Sequence, residues 1–171
     1  MNPENIHKEI IQQAIRHFNE NTDKVLHCLN QLTQEEVWQR PNDASNSVGN
    51  QLLHLCGNIT QYAVSSLGHH KDLRDRDSEF SATGGIDKNA LQEKLLQTVQ
   101  MAIATFQKLP EAELMRVRSV QGFDYTGIAV IMHVVEHYSY HTGQIAFWTK
   151  LLRDKSLGFY DNVDLNVKNK S

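Results

Sequence analysis

The chain has 171 residues, 40% hydrophobic and 22% charged, which suits one domain with a buried core. Its net charge of −3 provides no basic field to hold nucleic acid by its phosphates. No apolar run reaches the roughly 18 residues of a membrane span, and MNPENIHKEI lacks a signal peptide's apolar core. With Cys28 and Cys56 both in apolar helical contexts, the expectation is a cytoplasmic protein with two buried thiols and no disulfide.

Apolar residues recur mostly at spacings of three and four, the mark of amphipathic helices. A first long helix is expected from about Pro3 to Leu32, with Ile6, Ile10, Ala14, Phe18, Val25 and Leu29 on its inner side. A short helix follows at Thr33 to Gln39, where Thr33 and Glu36 make a capping box. After a polar turn at Pro41 to Ser47, Ser47 caps a second long helix, Val48 to Leu67, that stops at Gly68. A third runs from the cap Asp87 to about Lys108, ended by Pro110. Residues 111–126 alternate weakly around Gly122 and are expected to form a small hairpin. The last long helix covers about Gly127 to Arg153. Four long helices in one small chain predict an all-α four-helix bundle at residues 1–160, followed by a frayed tail at 161–171. The 19-residue link at 68–86 is longer than a compact bundle needs, which suggests that it crosses the bundle and leaves the second and third long helices parallel.

Nine histidines stand in the chain, and three fall four residues apart in HVVEHYSYHTGQ. At about 100° per residue, Val130, Val134, Ile145, Trp148 and Leu152 form one apolar stripe of the last helix. His137 and His141 fill the gap in it, where leucine is expected, whereas His133 lies on its edge beside Tyr140 and Gln144. Buried imidazoles need partners for both nitrogens, and a pair at i, i+4 aims both rings at one point. The alternative is a pair of core histidines bonded to neighbouring side chains. A third ligand is sought on another helix, and His54 of QLLHLCGNIT is the candidate. It falls in a polar stripe with Gln51, Asn58, Gln61 and Ser65, so a solvated histidine is the competing reading, while Gly57 beside it would permit a close approach. His69 and His70 lie in the link, and His7, His17 and His27, ten residues apart, make no cluster; all five are expected at the surface.

HVVEH also fits the inverted zinc-peptidase pattern, with His133 and His137 as ligands and Glu136 as base. Enzymes of that type are far longer than this chain, and His133 is off the stripe, so the pattern is set aside. QLLHLCGNI and EHYSYHTGQIAFWTKLL together resemble the DinB/YfiT-like superfamily, with LRDRDSEF and LGFYD pointing to one bacterial branch of it. That resemblance implies an up-down-down-up bundle, a homodimer, and a divalent metal held by His54, His137 and His141. It further implies a small-molecule substrate, such as a low-molecular-weight thiol of the bacillithiol or mycothiol kind, with thiol transfer or a thiol-dependent isomerisation as the reaction.

Three imidazoles leave coordination positions open, the arrangement of a catalytic site. Imidazole suits zinc, nickel, iron and copper alike, and the expected cofactor is one divalent ion, with zinc, nickel, iron and manganese as the leading choices. Metal-dependent hydrolysis and non-catalytic metal binding in a stress-related protein remain the alternatives, and no catalytic acid or base is assigned. Glu136, Gln144, Asn58 and Tyr140 are candidates to orient the imidazoles. Arg74 to Asp77, RDRD, are expected to pair among themselves on the surface, with capping of the pocket as the alternative, and Phe147 and Trp148 to serve core and interface.

Overall fold

A computed structural model describes residues 3–169. Helix α1 spans Pro3–Leu29, α2 Gln34–Trp38 and α3 Val48–Ile59, the last continuing as a π-helix over Thr60–Leu67. Helices α4 (Arg76–Ser81), α5 (Lys88–Lys108) and α6 (Gly127–Arg153) complete the helical elements. A 3-10 turn at Glu111–Leu114 and a hairpin of β1 (Arg118–Val120) and β2 (Phe123–Tyr125) lie between α5 and α6.

Local chemistry sets most boundaries. Thr33 and Glu36 bond each other's backbone at 3.3 and 2.8 Å, the expected capping box. Ser47 and Asn50 form a second one at the start of α3, and Asp87 and Thr126 cap α5 and α6. The hairpin pairs Arg118 with Tyr125 and Val120 with Phe123. Its two-residue loop places Gln121 and Gly122 at φ 53° and 80°, the left-handed pair that suits strand twist.

Helix directions follow from who meets whom. His7 Nε2 lies 2.9 Å from the Leu109 carbonyl, and Lys88 Nζ donates to Leu32 O at 2.8 Å, so α1 and α5 are antiparallel. Thr22 meets Tyr138 at 2.9 Å and Arg153 Nε donates to Gln31 O at 2.6 Å, so α1 and α6 are parallel. His54 faces His137 and Asn58 faces His133, which makes α3 and α6 antiparallel. The four long segments therefore run up, down, down, up, with residues 68–86 as the crossing link. Phe18, fully buried, lies edge-on to Phe106 at 5.4 Å and Tyr138 at 5.5 Å at the centre of the core. Cys28 and Cys56 are free and buried. No helix is long and apolar enough to cross a membrane among the described residues.

Several expectations need correction. α1 ends at Leu29 rather than Leu32, in a turn. Its buried stripe begins at Ile11 and leaves Ile6 45% exposed, because a 3.6-residue period drifts off strict i, i+4 spacing within two turns. The second long helix is not one α-helix: it loosens to π geometry at Thr60. The link holds a short helix, α4, that was not foreseen, and His7 is not a free surface residue. The expected tail at 161–171 lies partly outside the described residues, and its residues 161–169 are exposed and carry turns.

Candidate metal centre

His54 rises from α3, and His137 and His141 from the facing turns of α6. Their ligand nitrogens all lie within 4.8 Å of one another. His54 Nε2 and His137 Nε2 are 2.9 Å apart, and the His54 ring lies 5.0 Å from each of the other two. Two imidazole nitrogens on one ion at about 2.1 Å are about 3.0–3.4 Å apart, so the donors fit a divalent metal in type and, for this pair, in spacing. The sites are enclosed: His54 is 7% and His141 9% exposed.

Burial, reinforced by the neighbouring histidines, pushes the His137 pKa down to about 3. Burial likewise takes His141 down to about 4, against an opposing interaction in which the charged ring would donate to Gln144. Both rings are thus neutral with lone pairs available at ordinary pH, the state that binds metal. His141 Nδ1 faces Gln51 Oε1 at 3.4 Å.

The far side of His54 is closed by the link. Glu79 of α4 brings Oε2 within 3.0 Å of His54 Nδ1. Arg74 donates from Nε and Nη2 to the two Glu79 oxygens at 2.7 and 2.8 Å, and from Nη1 to Gln61 at 2.9 Å. Burial would raise the Glu79 carboxyl, but its bonds to Arg74 and His54 outweigh this and hold it below the usual carboxylate range. Gly57 makes the approach possible, since a Cβ there would stand 1.8 Å from Glu79 Oε1. Asn50 Nδ2 anchors the segment by donating to the carbonyls of Glu79 and Ala82 at 3.0 and 2.7 Å. The Phe80 ring lies 4.8 Å from that of His54.

The structure sorts the sequence candidates. It brings His54, His137 and His141 together and excludes a solvated His54. His133 stands outside the group: its ring stacks on Tyr62 at 4.1 Å and its Nε2 lies 3.2 Å from Asn58 Nδ2. Asn58 therefore serves His133 and not a member of the group. Glu136 is exposed, and Tyr140, 62% exposed, only edges the His141 ring at 5.1 Å. Gln144 is close enough to His141 to favour its charged form, as one of the orienting candidates should. Arg74 overturns the surface reading of RDRD: its side chain is 3% exposed and bound to Glu79. Sequence reasoning missed Glu79 altogether. Its one signal was Gly57, a helical glycine on the turn after His54 that implies something packed close against it.

A family model described as a protein of unknown function (DUF1572) matches residues 5–160. Among solved structures, a conserved protein from Enterococcus faecalis superposes with a TM-score of 0.73 at 16% identity, over 84% of this chain and 97% of that one. A DinB-like protein from Bacillus subtilis gives 0.65 at 19% identity, over 84% and 94%. A DinB-like protein from Bacillus cereus gives 0.66 at 14% identity, over 83% and 92%. These likenesses establish a DinB-like fold. No curated protein matches the chain.

Proposed function

The chain belongs to the DUF1572 family of proteins of unknown function, and on that premise we propose that it binds one divalent metal through His54, His137 and His141 and acts on a small molecule there. The observation that carries this is the convergence of three imidazoles from two helices within 4.8 Å, two of them buried and His137 half-buried. Three neutral donors leave positions open, and an ion so held makes a thiol or water in such a position acidic enough to lose its proton near neutral pH.

Thiol transfer, with a low-molecular-weight thiol as nucleophile donor and an electrophilic acceptor, is the preferred reaction. Hydrolysis with a poor leaving group needs a positioned acid. Of the two carboxylates near the group, Glu79 is committed to Arg74 and His54, and Glu136 is exposed on α6. The same arrangement favours, as second reading, a metal-binding protein without catalysis. A screen of bacillithiol, glutathione and simple esters on zinc-, nickel-, iron- and manganese-loaded protein separates these. Thiol-dependent turnover abolished by a chelator and by His141→Ala supports transfer, ester cleavage alone supports a hydrolase, and stoichiometric metal without turnover supports the non-catalytic reading.

We also propose a homodimer in the cytoplasm. Met132, Tyr140, Phe147 and Leu151 form an exposed apolar stripe along α6, which a second copy would cover. The two free, buried thiols suit a reducing compartment. Light scattering at micromolar concentration checks the dimer.

A further inference from the structure

The two ring nitrogens of His54 meet different surroundings. Nε2 belongs to the ligand group and faces His137 Nε2 at 2.9 Å. Nδ1 has two neighbours, Glu79 Oε2 at 3.0 Å and Arg74 Nη2 at 3.1 Å. Those neighbours make opposite demands. A carboxylate only accepts, so a bond to Glu79 requires the proton on Nδ1. A guanidinium only donates, so a bond from Arg74 requires Nδ1 bare and moves the proton of a neutral ring to Nε2. Nε2 can take a metal in the first state and is blocked in the second.

We infer that Glu79 is a positioning residue that fixes His54 as the Nδ1–H tautomer, and that Arg74 acts by holding the Glu79 carboxylate rather than by bonding the imidazole. The inference deepens the metal-binding reading and rests on it for its purpose. Three of the five Arg74 N–H groups are committed: Nε and Nη2 both serve Glu79, and Nη1 serves Gln61, whose amide in turn donates to Asp72 at 2.7 Å. Both members of the pair are enclosed, with side chains 3% and 7% exposed. Loss of the carboxylate's charge would leave a buried guanidinium short of acceptors, with His54 Nδ1 within its reach. The fold is shaped to receive this carboxylate. Gly57 clears its place on α3, and Asn50 holds the backbone on either side of Phe80. With His54 protonated at Nδ1, the 2.9 Å contact across the group has His137 as donor and His54 Nε2 as acceptor in the metal-free protein.

Long-range proton–nitrogen spectra of the metal-free, nitrogen-15-labelled protein read the tautomer directly. The parent should show His54 protonated at Nδ1 and bare at Nε2. Glu79→Gln keeps the shape and removes the charge, whereas Gly57→Ala expels the carboxylate and leaves Glu79, Arg74 and the three histidines in the chain. Each should move His54 toward the Nε2–H form and weaken zinc binding, measured by competition with a chromophoric chelator, by about 10–100-fold. Glu136→Gln, exposed on α6, should change neither reading. Should Gly57→Ala fail to fold, the isosteric Glu79→Gln decides alone. Retention of the Nδ1–H form in Glu79→Gln overturns the inference, as does a changed tautomer with zinc affinity within twofold of the parent. If the parent binds no zinc, the metal reading falls on its own, and the tautomer spectra still decide what Glu79 does to His54.

Discussion

His133 and His137 lie one turn apart on α6 with their rings nearly parallel, 12° between planes and 5.5 Å between centroids, yet only His137 faces His54. His133 is held in an aromatic stack with Tyr62 and by Asn58. Adjacent rings of the same chemistry thus have different tasks, and metal content after purification should separate them. His54→Ala, His137→Ala and His141→Ala are each expected to lose most bound zinc or nickel, while His133→Ala keeps it. Loss of metal from His133→Ala with retention in His141→Ala would restore the peptidase-like pairing of His133 and His137.

Phe18 anchors the apolar core of the bundle. It is fully buried on α1 and touches Phe106 and Tyr138, so it ties α1 to α5 and α6 at once. Phe18→Ala removes ring area and leaves a cavity among side chains that cannot all collapse into it. Destabilisation of about 3–5 kcal/mol is expected in urea unfolding. A change below about 1 kcal/mol would mean that the aromatic cluster is not the keystone of the core.

Helical spacing made the four long segments legible, and with them the inward placement of His137 and His141. A stripe of valine and isoleucine interrupted by two imidazoles has few other resolutions. His54 was less so, because the polar stripe of Gln51, His54 and Asn58 reads equally as a solvated face. All three are buried, since α6 and the link cover them. The contribution of Arg74 and Glu79 was hidden for a physical reason. Alternating charges in a polar link normally satisfy one another in water, and nothing local says that one arginine and one glutamate are drawn under cover by a partner on another helix. The π-helix at Thr60–Leu67 left no readable trace either, since so short a segment spans too few turns to set its period apart from that of an α-helix.

Gly127 marks where the hairpin region meets the last helix. A Cβ at this position would stand 2.3 Å from the Glu113 carbonyl oxygen, a backbone atom that cannot swing aside. Gly127→Ala should therefore push the 3-10 turn away from the start of α6 and cost about 1–3 kcal/mol. The metal group lies more than two turns further along α6, so metal stoichiometry should be unchanged. A variant as stable as the parent would show that the two segments separate without cost.

Acid should weaken the metal-free protein in a defined window. His137 and His141 are held neutral by burial, with pKa values lowered to about 3 and about 4, while in the unfolded chain both rest near about 6.5. The folded values are the depressed ones, so below about pH 6.5 the unfolded chain takes up protons that the folded chain refuses. Their contribution to stability is present in full above about 6.5 and is lost as pH falls toward the folded values. The lowered carboxyl of Glu79 adds a loss of the same sign at the acid end. Urea midpoints of the metal-free protein should hold level from pH 8 to 7 and then drop steadily between 6.5 and 4.5. A His137→Gln, His141→Gln double variant should show a flatter profile over that range. Equal slopes in parent and double variant would rule out the buried imidazoles as the source. Proton competition for zinc at His137 and His141 should set in only as pH nears their lowered values of about 3 and about 4, so any zinc these two ligands release above that range should track unfolding rather than titration of the folded site.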